Sequence, residues 1–249
     1  FGAFGGGFIY GLKENKVALG LVIGLDYADP TFDTHNAFQI WKTHPFVSRF
    51  LKGGKILEYG AKTLPEGGYY AVPKLFTDNA LIVGDSAGLL AMPALKGIHL
   101  AVHSGMIAAQ AALEALEKND FSEKTLQAYE KLIKESSVHS ELHRNRNFRQ
   151  GFVKGMIPGM FHFGTQLISG GAGFCGRLKT HSDSEATKTV AEAKKPLFKE
   201  KYKDLEFDKE LTFDKVTDVY YTGVAHDDHQ VPHLQVNDPE TFNAVNIKE

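Results

Sequence analysis

The stretch from Leu81 to Leu113, LIVGDSAGLLAMPALKGIHLAVHSGMIAAQAAL, gathers the residue types and spacings best suited to chemistry. An apolar run feeds Gly84 and Asp85, a turn of small residues follows, and the composition then predicts a helix beginning after Lys96 and Gly97. In that order a buried strand delivers the Asp85 carboxylate to its carboxyl end, where it can accept hydrogen bonds from ribityl or ribose hydroxyls. Gly88 lets the backbone approach a ligand closely. The helix start offers free N–H groups and a positive dipole end, a setting that suits a reduced flavin carrying negative charge around N1 and its C2 carbonyl. Taken alone, GDSAG reads equally well as a plain strand-to-helix turn, because Gly-Asp pairs are common turn chemistry.

Other groups invite weaker readings. His226, Asp227, Asp228, His229 and His233 place imidazoles and carboxylates at short spacing, the ligand types of zinc and iron. A structural turn is the preferred reading, with no metal in this chain. His99, His103 and His139 are expected to be hydrogen-bonded packing residues and not catalytic bases. Cys175 is the single cysteine, which excludes an internal disulfide framework and any four-thiolate iron–sulfur site built from these residues alone.

The elements that must position these groups follow from pattern. Short β-rich runs separated by Gly, Pro and Asp (FIYGL, VALGLVIGLDY, KILEYGAKTL, GYYAVPKLF and ALIVG) predict sheet up to about Ile82. Thr34 to Leu51 interrupts them with Trp41, Phe46 and Phe50 among polar residues, which suits a short helix. The helix after Gly97 is expected to end near Asn119, and a second to begin near Ser122 and run through LQAYEKLIKESSVHSELHRNRN. From Gly151 to Gly176 the chain turns to Gly, Phe, Met and Ile, with Lys154 the only charge before Arg177. Thr180 to Lys203 reads as a polar surface linker, and Phe213 to Leu234 returns to alternating apolar positions.

The 249 residues are 43% hydrophobic and 23% charged with a formal net charge of -2, so the chain can bury a core. No basic stripe marks it for nucleic acid. No uninterrupted apolar run reaches the about 18 residues of a spanning helix, although the protein can lie on a membrane. The opening at Phe1, without a leader, reads as the start of a fragment.

Strand, GDSAG, Pro93, Lys96-Gly97, His99 and SGMIAA together resemble the second FAD fingerprint of flavoproteins with the glutathione reductase and p-hydroxybenzoate hydroxylase architecture. FGGGFIYGL, VALGLVIGLDYADP, FQIWKTHPFVSRFLKGGKILEYGAKTLPEGGYYAVPKL and PALKGIH narrow the resemblance, in order and spacing, to electron transfer flavoprotein-ubiquinone oxidoreductases. It covers nearly the whole chain and weakens between Thr180 and about Leu211.

The resemblance implies an α/β (α+β mixed) flavoprotein fold, present in part. Residues 1–79 would form a β-rich quinone side, 80–150 the second half of the FAD domain, 151–178 an apolar membrane-surface segment, and 179–249 a linker and return segment. It implies FAD held by Gly84, Asp85, Ser86, Gly88, Lys96, Gly97 and Ile98. Where family members often carry Thr or Ser this chain has Ile98, so no hydroxyl tunes the flavin there. Phe4-Gly5-Gly6 matches the family's tyrosine-Gly-Gly string, making Gly5 and Gly6 the quinone candidates; a glycine-rich turn is the alternative. Phe152, Met156, Ile157, Met160, Phe161, Phe163, Leu167 and Ile168 would sink into one leaflet, with Lys154 and Arg177 near headgroups, against the alternative of a core helix.

The implied activity is electron transfer from electron transfer flavoprotein, through a [4Fe-4S] cluster and FAD, to ubiquinone, with cofactors and no acid–base triad doing the work. The implied place is the matrix side of the mitochondrial inner membrane, or a bacterial membrane, in fatty acid and amino acid oxidation. No GxGxxG follows an opening strand, so the ADP-binding unit is expected outside these residues, and the cluster module beyond the final NIKE. Two other readings stand beside this one: a flavin-dependent geranylgeranyl reductase, and a non-catalytic membrane-docking or assembly subunit.

Overall fold

The computed structural model describes residues 2–173, 176–231 and 237–238, the side chain of Lys154 excepted. Cys175 and His233 therefore lie outside the described residues, as does the Lys154 side chain expected near headgroups.

The chain opens with an antiparallel hairpin, β1 (Gly5–Leu12) and β2 (Lys16–Ile23), in a register that pairs Gly5 with Ile23 and Leu12 with Lys16. A glycine on each strand makes room for an aromatic ring. A Cβ on Gly7 would stand 2.5 Å from the Trp41 ring, and one on Gly20 would stand 2.3 Å from Phe8. Trp41 arrives on α1 (Thr34–Lys42), started by Asp33, whose side chain accepts from the Asn36 N–H at 2.9 Å. The single helix expected here is broken before Pro45, because a residue preceding proline is driven to extended backbone, and His44 has ψ 133°. The one-turn α2 (Pro45–Ser48) follows.

The sheet expected between Lys55 and Val83 is mostly absent. KILEYGAKTL is irregular, Tyr69–Ala71 forms a 3-10 turn, and only β3 (Phe76–Thr77) and β4 (Ala80–Leu81) pair. The strand feeding Gly84 is correspondingly not buried, and Ile82 and Val83 are exposed. β-propensity expresses a fit to neighbouring strands, and these runs have no such neighbours among the described residues.

The helical layer matches its pattern more closely. α3 (Ile98–Lys118) ends at Asn119 in the left-handed conformation, and α4 (Glu123–Glu135) starts after Ser122 and buries Leu126, Tyr129 and Ile133. The helix then breaks at Ser136, which is extended and caps α5 (Ser137–Arg144) by accepting from Val138 N–H at 3.2 Å. Leu100, Ile107, Tyr129, Ile133, Val138 and Leu142 form the main core between α3, α4 and α5, with Leu75, Leu89 and Ala91 beneath it.

The short α6 (Phe148–Gly151) leads into α7 (Met156–Ile168). The polar stretch read as a surface linker is held to the hairpin end. Lys188 N–H donates to Ala28 O, Phe198 N–H reaches the Asp29 carboxylate, and α8 (Phe198–Lys201) packs on Phe32, so this stretch covers the end of the hairpin. Where Phe213 to Leu234 suggested alternation, Asp214 caps a helix instead, α9 (Lys215–Tyr220), accepting from Thr217 N–H at 3.0 Å. The fold is thus mixed helix and strand.

Candidate functional site

The turn after β4 is built on backbone. Gly84 has φ +60°, and a Cβ there would stand 3.0 Å from that of Ala101, so α3 lies directly on the turn. Ser104, fully buried on α3 and not singled out from the sequence, accepts the Gly84 N–H at 2.9 Å and donates to Ala101 O at 2.9 Å. Gly88, at φ +70°, turns the chain back, and a bridge between Ala91 and Lys96 returns it to Gly97 at the start of α3. Gly84, Asp85, Ser86, Gly88, Lys96, Gly97 and Ile98 are therefore gathered around one helix start.

That start has no side-chain cap, which leaves first-turn N–H groups for a ligand, and Ile98 beside them is 84% exposed. The Asp85 carboxylate is half-exposed and lies 3.6 Å from Lys62 Nζ. A groove of about 230 Å³, lined by Pro65, Gly67, Pro73, Ser86 and Gly88, runs alongside. A carboxylate acceptor, uncapped N–H donors and an exposed apolar contact fit FAD; Lys62 must yield Asp85 to a ribityl hydroxyl or share it.

The glycine pair sits at the start of β1. Gly24 N–H donates to Phe4 O at 2.7 Å, which fixes the alternation of the ladder. Even-numbered residues of β1 turn their backbone polar groups to β2, so the Gly6 N–H is directed at Val22 while that of Gly5 faces the free edge. Only Gly fits at position 5, where a Cβ would stand 2.0 Å from Val22 O; at Gly6 the space is open. Gly5 lines a broad cleft of about 2550 Å³ together with Phe4, Asp26, Glu66, Arg149 and Met156.

α7 touches that cleft through Met156 and is inside out. Gly159 and Gln166 are buried and His162 half-buried, while Met156, Ile157, Met160, Phe161, Leu167 and Ile168 are exposed, Ile157 at 83% and Ile168 at 92%. The segment thus has a polar side, turned inward. Gln166 Nε2 donates to Asn147 O at 3.4 Å, and His162 is wedged where Cβ atoms on Gly151 and Gly173 would collide with its ring. Among the expected membrane contacts, Phe152 turns into the protein, and Phe163 does so in part. Phe152 is buried, its ring filling the space left by Gly159 and resting on Phe4 at 5.7 Å, and Phe163 is half-buried, edge-on to Phe148 at 4.9 Å. Arg177, expected near headgroups, lies over the Tyr70 ring at 4.6 Å. At 13 residues α7 is too short to span, and no helix among the described residues is long and apolar enough to cross a membrane.

A further polar cluster had no signature in the sequence. His35 Nε2 and Gln39 Nε2 each lie 2.8 Å from Asp218 Oδ2, and Gln39 Oε1 accepts from Phe213 N–H, so α1 and α9 are tied through buried groups. Lys42 is buried between the Phe38 and Phe213 rings, and burial pulls its ammonium down to about 8 against the opposing carboxylates of Asp218 and Asp208. The loop with His226, Asp227, Asp228 and His229 is an exposed turn in which Asp227 accepts from His229 N–H at 2.8 Å. His99 pairs with Glu141, His103 with Ser137 and His139 with Tyr69.

Gly5 and the start of α7 share the broad cleft, while the uncapped start of α3 lies by the smaller groove that Ser86 and Gly88 line. Residues 2–64 match the family model described as ETF-QO, ubiquinone-binding, and residues 209–249 that described as electron transfer flavoprotein-ubiquinone oxidoreductase, 4Fe-4S. The mitochondrial electron transfer flavoprotein-ubiquinone oxidoreductases of Dictyostelium discoideum and Oryza sativa subsp. japonica are each 36% identical over 97% and 98% of this chain. A probable one of Acinetobacter baylyi is 33% identical over 99%. The chain belongs to the electron transfer flavoprotein-ubiquinone oxidoreductase family. It spans 41% to 45% of the length of these relatives.

The 4Fe-4S match begins at residue 209, which corrects the expectation that this module starts beyond residue 249. The residues present do not by themselves fit such a cluster, since the one cysteine, Cys175, lies outside the matched span.

Proposed function

We propose that this chain carries the quinone side and one half of the flavin side of an enzyme that passes electrons from reduced electron transfer flavoprotein to ubiquinone at a membrane surface. The observation that carries the proposal is the shared cleft. Gly5, inside the segment similar to the ubiquinone-binding family model, and Met156, on the exposed apolar side of α7, line one hollow. An apolar-outward helix beside the site gives a lipid-borne quinone a way in from the acyl region.

The finer fold reading belongs here as well: the β4–turn–α3 unit is the second half of an FAD domain of the glutathione reductase and p-hydroxybenzoate hydroxylase type. FAD, when bound, supplies reversible hydride and single-electron chemistry. The chain's own part is positioning. Asp85 would accept from ribityl hydroxyls, the uncapped first-turn N–H groups of α3 would favour negative charge on the reduced ring, and Ile98 would offer an apolar contact without a hydroxyl. At the other site Gly5 N–H donates to a quinone carbonyl. α7 lies in one leaflet of the mitochondrial inner membrane, on the matrix side, or of a bacterial membrane. The relatives' names lend no support to an isoprenoid reductase or a docking subunit.

The test uses the full-length protein. Purified from membranes, it is expected to contain FAD and to reduce a short-tailed ubiquinone when supplied with reduced electron transfer flavoprotein. Ile157→Asp combined with Phe161→Asp is expected to abolish co-sedimentation with liposomes while FAD content stays normal. A flavin-free protein, or one inert towards quinone, sinks the proposal, and undiminished co-sedimentation of the double variant removes α7 from it.

A further inference from the structure

Three segments distant in sequence meet beside Gly5. Arg149, in the one-turn α6, lays its guanidinium over the Phe4 ring at 4.6 Å and forms an ion pair with Asp26 through Nη2. The same Nη2 stands 3.5 Å from where a Cβ on Gly24 would be, and Asp26 Oδ1 stands 2.8 Å from it, so the pair is seated in a space that Gly24 leaves open. Gly24 is the residue whose N–H holds Phe4 O, one position from Gly5. Arg149 and Asp26 are both partly buried, with side chains 16% and 27% exposed, and both line the cleft.

A guanidinium offers five N–H donors. Among the described residues Asp26 is the only side chain to which Arg149 donates, through one nitrogen. The remaining donors belong to a fixed cation with one face against an aromatic ring and one edge held by a carboxylate. Such a group recognises an electron-rich oxygen, and it holds that oxygen more tightly as negative charge builds on it.

We propose that Arg149, held in place by Asp26, is a second anchor for the quinone, binding a ring oxygen in the cleft beside Gly5. This rests on the quinone reading of the cleft. Reduction of a quinone to a quinol consumes two electrons, supplied by the proposed activity, and two protons taken ultimately from water. Arg149 keeps its own protons throughout and compensates the charge that appears on oxygen between electron and proton arrival. Asp26 is a positioning residue, acting through Arg149.

The experiment uses full-length holoenzyme, a short-tailed ubiquinone, and a ring analogue lacking both carbonyl oxygens. Equilibrium binding and the KM and kcat for quinone are measured for wild type, Arg149→Met, Arg149→Lys and Asp26→Asn. Loss of a charged hydrogen bond is expected to weaken quinone binding about tenfold or more in Arg149→Met, with FAD content unchanged. Arg149→Lys should recover part of the loss, and Asp26→Asn should raise KM by a smaller factor. The carbonyl-free analogue should bind wild type and Arg149→Met alike.

Wild-type quinone affinity in Arg149→Met overturns the anchor while leaving the quinone reading intact. Equal weakening for quinone and for the carbonyl-free analogue also overturns it, because the loss is then one of packing. Should Arg149→Met not fold, the ratio of quinone to analogue affinity in Arg149→Lys and Asp26→Asn decides in the same way. A wild-type holoenzyme that binds no quinone removes the parent reading and the anchor together.

Discussion

At the scale of single residues, the site is held by groups that accept backbone hydrogen bonds in places no ligand reaches. Ser104 bonds the Gly84 N–H from the fully buried side of α3, so Ser104→Ala leaves that donor without a partner in a dry core. A loss of about 1–3 kcal/mol is expected in denaturant unfolding, together with weaker FAD retention by full-length protein. Asp85, Gly88 and Gly97 were legible because small residues and an acid around a helix start form a local pattern. Ser104 was not, since a serine in an Ala-rich helix looks like any other until its partner is known. The Asp26–Arg149 and His35–Asp218 pairs were less legible still, being 123 and 183 residues apart in sequence, with nothing local to announce either partner.

At the scale of elements, α7 depends on a missing side chain. Gly159 faces the Phe152 ring, and a Cβ there would stand 2.3 Å from Cδ1. The ring cannot simply turn away, since Phe4 and Phe148 hold it at 5.7 and 5.1 Å. Gly159→Ala is therefore expected to cost about 1–3 kcal/mol by overpacking, visible as a lower melting temperature, with Phe152→Leu restoring part of it in the double variant. Elements were legible wherever local signals sufficed, as at Asn119 and Ser122, which bound α3 and α4. They were misread where a partner decides. The runs from Lys55 to Val83 carry strand-like residues, but pairing is non-local and only two short strands find it. Where Phe213 to Leu234 reads as alternating, α9 forms because Asp214 caps it, and the three-residue step from Val216 to Val219 is helical spacing.

At the scale of the whole molecule, charge and burial set a pH profile. Asp208 accepts three backbone N–H groups, and these hold its carboxyl down at about 2 from an ordinary 3.8. A carboxylate with a depressed folded value stabilises above its unfolded value, so this contribution is complete above pH 3.8 and is lost as pH falls through about 2. Lys42 has the opposite sense. Its ammonium, pulled down from 10.5 to about 8, is carried at a cost at neutral pH, and the folded chain sheds that proton before the unfolded chain does. Stability should rise from pH 8 upward until Tyr129, pushed up to about 12, begins to favour proton retention in the folded state above pH 10. Equilibrium unfolding from pH 7 to 10 should show that rise in wild type and a flat line in Lys42→Met; a rise in both would assign it to another group.

The aromatic contacts running from Phe163 through Phe148 and Phe152 to Phe4 have a mechanical consequence. α7 is clamped near both ends, by Phe152 under Gly159 and by Gln166 on Asn147, so it behaves as a stiff float and not as a hinge. Were α7 to sit in a leaflet as proposed, pressure on it would reach the strand that carries Gly5 through these tilted and edge-on rings. The width of the cleft would then depend in part on the lipid, because Phe4, on which Arg149 rests, ends the same line of contacts.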